Sequence, residues 1–310
     1  MEKGRLWAKL EMHLGEDALR SIRRALTGLW LLSILGVLSV AVYLIVFGGV
    51  DIPRVQEHPQ ISDYFLPTGL SFMSQYMDAT LGMGYGTTLT ALLVIVGFPV
   101  RQVVLAVLLQ QLAAGGIASS FHHAFGNADL RPGHFHFRLA MVLGGVAVVG
   151  SFLASLLASV LPESSVDVAL GGVIIAMGLI IFGARFIHVP FSWWRAGVLG
   201  LIAGANKGFM GGGYGPVIVA GQTIAGDTMR HAVAVTTLSE ALSCVGGVVG
   251  YLIMGVPMPW ALTAALLLGG TVASLLAAAT VRSLPHAALK SVIGFMYLVL
   301  GALTLWASLT

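Results

Sequence analysis

Hydrophobic residues run through this chain in long unbroken blocks separated by short polar loops. A first block covers 26–50. A polar stretch follows, Asp51 to Asp63, with Pro53 and Pro59 in it. Eight more blocks come after it, at roughly 64–97, 100–125, 134–160, 165–186, 194–226, 228–253, 258–281 and 286–309. Most are close to the ~20 residues that cross a hydrocarbon core of about 30 Å as a helix. None alternates every second residue, so a barrel is not indicated. Backbone in lipid must pair within itself, and blocks of this kind do so as helices. The pattern predicts an all-α integral membrane protein.

Two blocks are too long. Each of 64–97 and 194–226 would make a straight helix of about 50 Å, well beyond one crossing. Each is also broken near its middle by glycines, and the breaks match. The first reads Gly82-Met83-Gly84-Tyr85-Gly86, followed by Gly97 and Arg101. The second reads Gly211-Gly212-Gly213-Tyr214-Gly215, followed by Gly226 and Arg230. Six identities recur at a constant shift of 129 residues without a gap. This is an internal repeat. It divides the chain into a basic, amphipathic tail (1–25), an extra transmembrane helix (26–50), a first repeat (64–186) and a second (194–309).

Loop charge chooses the topology. If each long block crosses once, Arg131, Arg138, Arg185 and Arg195 face outside. If each is a re-entrant hairpin, those four join Arg230, Arg282 and Lys290 on the cytoplasmic side, and only Arg54 and Arg101 face out. The positive-inside rule favours the hairpins. Each repeat then has three full crossings, so the two are inverted, the plan that puts a transporter's site at the midplane. The expected layout is seven spans and two hairpins, with the N-terminus cytoplasmic in an inner-type cell membrane.

Composition narrows the function. Charged residues are 9% of the chain and apolar ones 57%, with a mean hydropathy of +0.92. The formal charge of +3 fits basic cytoplasmic loops, and no basic patch interleaved with aromatics suggests nucleic acid. The N-terminal apolar run is too long for a cleaved signal and lacks a small-residue cleavage site. Cys244 is the single cysteine, which excludes an intrachain disulfide and a cysteine metal site. No G-x-S-x-G, H-E-x-x-H or P-loop occurs, so neither an enzyme nor a bound cofactor is expected.

The candidate chemistry gathers at the breaks. A helix restarting after glycine presents unpaired N–H groups and partial positive charge, a place for an anion. The same glycines would also allow helices to pack closely. Tyr85 and Tyr214 could each donate to an anion or plug the opposite hairpin. Lys207 lies four residues before the second motif at membrane depth, where a lysine costs about 2.5–3.5 kcal/mol on insertion scales. Its counterpart is Asp78. Lys207 could bind an anionic substrate or neutralise Asp78, and Asn206 is a neutral donor beside it. In the next helix, Gln110 and Gln111 correspond to Ser239 and Glu240, about 14 Å deeper than Arg101 and Arg230. A carboxyl at that depth suits a proton carrier, which makes Asp78 and Glu240 coupling candidates; a packed polar contact is the plainer alternative.

Arg101 and Arg230 open the helices after the breaks. They could snorkel to headgroups or draw anions to a pathway mouth. His122, His123, His134 and His136 fall within 15 residues, but their spacing fits no compact zinc motif, and interfacial histidines without metal are the expectation.

Over about 64–309 the paired glycine motifs, each with its spaced Gly and Arg, resemble those of the TauE/SafE family of sulfite and organosulfonate exporters. The second motif keeps the glycine run more closely; the first has Met83 and Tyr85. The resemblance implies export of a small sulfur-containing anion, with the proton gradient as a candidate driving force, by a chain embedded in the lipid bilayer. A homo-oligomer is compatible with this. The rival readings are a passive channel for a small solute, a metal-ion transporter using the histidines, and a non-transporting membrane sensor.

Overall fold

The structure, a computed structural model, describes residues 16–47, 61–183 and 189–281, with a few further positions between 295 and 306. Most of the block at 286–309, most of the basic tail, and Arg54, Arg185, Arg282 and Lys290 lie outside the described residues. Within them the chain is helical throughout: α1 (Glu16–Phe47), a short 3-10 turn (Ile61–Tyr64), α2 (Phe65–Leu81), α3 (Tyr85–Ile95), α4 (Val100–Ala124), α5 (Phe135–Val160), α6 (Glu163–Gly183), α7 (Trp193–Met210), α8 (Tyr214–Ile224), α9 (Met229–Ile253) and α10 (Trp260–Thr280). Four of these, α4, α5, α9 and α10, are long and apolar enough to cross a membrane. Their outer faces carry exposed apolar stripes, Val149-Leu153-Leu157 on α5 and Leu268-Val272-Leu275 on α10, as lipid-facing helices do.

Both long blocks break where the glycines are. α2 ends at Gly82 and α7 at Gly211, each in the left-handed region with φ of 71° and 72°. α3 and α8 restart at Tyr85 and Tyr214. The arms of the second block then lie side by side. Leu199 packs where a side chain on Gly221 would be, and Val189 N–H donates to Ile224 O at 3.2 Å. The two ends of the block, at Val189 and Ile224, therefore lie next to each other.

The helices pack across the sequence repeat. α5, from the first half, lies along α7 and α9 of the second, and α10, from the second, lies along α2 and α4 of the first. The α5–α7 contact depends on small residues. Added Cβ atoms on Gly200, Gly204 and Gly208 would approach the carbonyl oxygens of Leu143, Ala147 and Ser151 to 2.7, 2.3 and 2.0 Å. The register advances four residues on both helices at once, so they run parallel with backbones in contact, which only the absence of side chains allows.

Two ends of the bundle result. At one, the Phe135 ring meets Phe191 and Trp193, and His136 meets His231. At the other, Arg101 donates to Leu161 O, beside Ser159, Met254 and Val256. Helix α1 runs against α2, with Gly36 on Met73 and Trp30 Nε1 donating to Thr80 Oγ1 at 2.7 Å.

Candidate functional site

The two breaks meet each other. A Cβ on Gly86 would lie 1.8 Å from Gly211 O, and one on Gly215 would lie 2.0 Å from Gly82 O. These are the same contact made twice, since Gly86 corresponds to Gly215 and Gly82 to Gly211. Gly212 likewise abuts Thr87 N, and Gly213 N–H donates to Thr87 Oγ1 at 2.9 Å. Positive φ at Gly84 and Gly213 turns each chain into its second half-helix, a conformation glycine adopts without strain. All of residues 81–90 and 211–220 are buried.

Around this crossing the polar residues form matched pairs. Lys207 Nζ donates to Glu240 Oε1 at 2.7 Å, with both side chains buried. In the first half the equivalent residues are Asp78 and Gln111, and Gln111 Nε2 donates to Asp78 Oδ2 at 3.4 Å. Lys207 is thus bonded to Glu240 rather than to Asp78. The other Asp78 oxygen accepts from Tyr85 N–H at 3.4 Å, so a carboxylate caps the N-terminus of α3 and complements its dipole. At the corresponding place before α8 stands a lysine.

The tyrosines differ. Ser71 Oγ donates to Leu266 O and lies 3.0 Å from Tyr85 OH; with its proton committed, Ser71 accepts from Tyr85. Tyr214 OH faces Ser239 without a hydrogen bond of normal geometry. Asn206 sits beside Gly213. Gln110 Nε2 donates to Gln75 Oε1 at 3.2 Å, while Gln110 Oε1, Thr88 Oγ1 and Thr90 Oγ1 are buried without partners. The two arginines of the motif part company: Arg101 is half-buried on Leu161 O and Arg230 is exposed.

The four histidines separate. His122 is buried between Ala79 O and Asn127. His123 and His134 flank Asp129, whose carboxyl the Arg131 guanidinium holds well below the usual range. His136 turns instead to Asp227 and His231. Burial opposes ionisation of Asp227, but the nearby His136 imidazole and the hydrogen bonds from His231 and Thr228 N–H outweigh it and hold this carboxyl low as well.

The sulfite exporter TauE/SafE family model matches residues 68–304. The chain belongs to that family. Two curated relatives come from Bacillus subtilis (strain 168). The "Probable membrane transporter protein YtnM" is 30% identical over 249 residues, covering 74% of this chain and 79% of the relative. The "Probable membrane transporter protein YdhB" is 28% identical over 186 residues, covering 57% and 76%. No solved structure matches significantly. The family match takes in both glycine breaks and all four residues of the Asp78–Gln111 and Lys207–Glu240 pairs, and it leaves helix α1 outside.

Several partners escaped the sequence reading. Thr87, Gln75 and Ser71 carry no motif, although Gln75 lies one turn before Asp78 on the same helix face. The Gly200-Gly204-Gly208 spacing was a legible packing signal. The pair Gly126 and Gly255, both at positive φ and again 129 residues apart, was a legible sign of matching turns.

Proposed function

We propose that this membrane transporter is a secondary carrier for a small sulfur-containing anion such as sulfite or an organosulfonate, exporting it across the cytoplasmic membrane. The observation that carries the reading is the exchange of Asp78 for Lys207 at equivalent places. Each half-helix N-terminus at the crossing attracts negative charge. Before α3 that charge is built in, as Asp78. Before α8 the chain has a cation, and an anion between Lys207 and the first amides of α8 would complete the symmetry. Asn206 and the free Tyr214 hydroxyl are donors at the same spot.

Glu240 gives this site a switch. Ionised, it neutralises Lys207. Protonated, it frees Lys207 for the anion, so proton and anion occupy the site together. An anion concentrated in the cytoplasm then flows outward with its proton. The burial of both breaks supports a closed path that opens alternately to each end, as in inverted-repeat carriers, over an open channel. Loop charge supports the orientation. Arg131, Arg138, Arg195 and Arg230 collect at one end of the bundle, and the antiparallel course of α1 brings Arg20, Arg23 and Arg24 towards it. That end is cytoplasmic by the positive-inside rule, and the chain's N-terminus with it.

The test is sulfite and organosulfonate efflux from proteoliposomes under imposed pH gradients. Acid on the substrate side should accelerate flux, and Lys207→Met should abolish it. The double variant Lys207→Met/Glu240→Gln, which leaves no unpaired charge, should be equally inactive. Flux that persists in the double variant removes Lys207 from the substrate path.

A further inference from the structure

At the end of the bundle that carries the arginines, three side chains from two helices and a loop converge. His136 lies in the first turn of α5. Asp227 is in the loop between α8 and α9, and His231 is in the first turn of α9. His136 Nε2 is 3.6 Å from Asp227 Oδ2, and His231 Nδ1 is 3.0 Å from Asp227 Oδ1. One ligand atom from each of the three lies within 4.8 Å of both others. The two imidazole rings face each other with centroids 4.3 Å apart.

We propose that His136, Asp227 and His231 bind a first-row divalent cation of the zinc class. The donor set is the borderline mixture of imidazole nitrogen and carboxylate oxygen that such ions take. The spacing also fits. With metal–ligand bonds of about 2.0–2.2 Å at tetrahedral angles, neighbouring donor atoms stand about 3.3 Å apart. Here the two imidazole nitrogens stand 3.6 and 3.0 Å from the Asp227 carboxylate, each from a different one of its oxygens, on either side of that value. Three protein ligands leave one position open to water.

The surroundings hold the ligands in place. Thr228 N–H donates to Asp227 Oδ1 at 2.7 Å, and the Thr228 side chain caps α9 at His231 N–H. Phe135 packs edge-on against His136 at 5.5 Å. Such outer contacts orient metal ligands. All three side chains are partly buried, at 20%, 19% and 39% exposure.

The neighbouring histidines give a built-in contrast. His123 and His134 also approach a carboxylate, Asp129. There the Arg131 guanidinium donates to both carboxylate oxygens, so that carboxylate already holds a cation and would repel a second. Around Asp227 the partners are imidazoles and a backbone amide. The site also joins the two halves of the sequence: its ion would tie α5 of the first to the exit of the second break.

The experiment uses the full chain purified in detergent and stripped with a chelator. Titration with Co2+ should give the ligand-field bands of a four-coordinate site at one equivalent, and Zn2+ should displace it and raise the unfolding temperature. His136→Ala, Asp227→Asn and His231→Ala should each weaken Zn2+ binding by about 100-fold or more, while His123→Ala and His134→Ala leave it unchanged. Apo variants that unfold at the temperature of the apo parent show that the fold is intact. The proposal is overturned if the parent shows no saturable Co2+ or Zn2+ binding. It is equally overturned if binding survives in His136→Ala/His231→Ala, or is lost in His134→Ala. None of these readouts depends on transport.

Discussion

Lys207 and Glu240 are bonded at 2.7 Å across α7 and α9, at the place where the other half of the chain joins Asp78 to Gln111. One contact has been kept and its charges changed. The first half carries a negative group beside a neutral amide, and the second a buried ion pair. Removing one member of a buried pair strands the other, at about 3–5 kcal/mol. Lys207→Met and Glu240→Gln should each lower the unfolding temperature clearly, and the double variant should recover most of the loss. Thermal unfolding of the four proteins checks this. Additive losses would mean that the two side chains do not act as a pair.

The backbone crossing at the breaks makes a sharper prediction. Gly86→Ala and Gly215→Ala each thrust a methyl group into a carbonyl of the opposite break. Overpacking against rigid backbone costs about 3 kcal/mol or more, so both variants should express poorly or unfold early. Gly116→Ala on α4, where an added Cβ meets nothing within 4 Å, should behave as the parent. Yield and unfolding temperature of the three variants are the measurement.

Gly204 makes the same argument between spans. Gly204→Val should separate α5 from α7 and destabilise the fold by about 3 kcal/mol. Gly197→Ala on the same helix, with open space at its Cβ, should be neutral. Equal stability of the two variants would remove the small-residue contact as a determinant of this interface.

Helix α1 lies outside the family match yet touches the region before the first break. Trp30→Phe removes the indole N–H bond to Thr80, two residues before Gly82, at about 1 kcal/mol. Unfolding temperature should fall by a few degrees, with transport preserved. A loss of flux without a loss of stability would give α1 a part in the transport cycle.

Sidedness can be read directly. In a Cys244→Ala background, Arg101→Cys and Arg230→Cys should react with an impermeant thiol reagent from opposite faces of oriented vesicles. Labelling of both from one face would refute the inverted arrangement.

The helices and their breaks were legible because lipid punishes irregular backbone. Apolar length and glycine clusters therefore carry most of the architecture, and the glycines at 82, 84, 211 and 213 fall at the helix ends and restarts. The partners of the buried charges were not legible. Asp78 and Lys207 were matched in the sequence as counterparts, but counterparts by repeat need not touch. Lys207 reaches instead to a residue on the following long helix, and that choice depends on helix rotation, which periodicity in a uniformly apolar segment does not report. The histidines misled for the opposite reason. Four of them crowd the sequence between 122 and 136, yet loop geometry sends His136 to Asp227 and His231, nearly a hundred residues away, and leaves His122 buried on its own helix end.

The exchange of helices between halves has a consequence for how such a chain comes to exist. α5 finds its neighbours in the second half, and α10 finds its own in the first. The stretch that recurs in the sequence is therefore not the stretch that buries itself. A gene for one half alone would make a chain whose longest contacts could form only with a second copy. In a single chain the two halves need not be identical, and one carries an aspartate where the other carries a lysine.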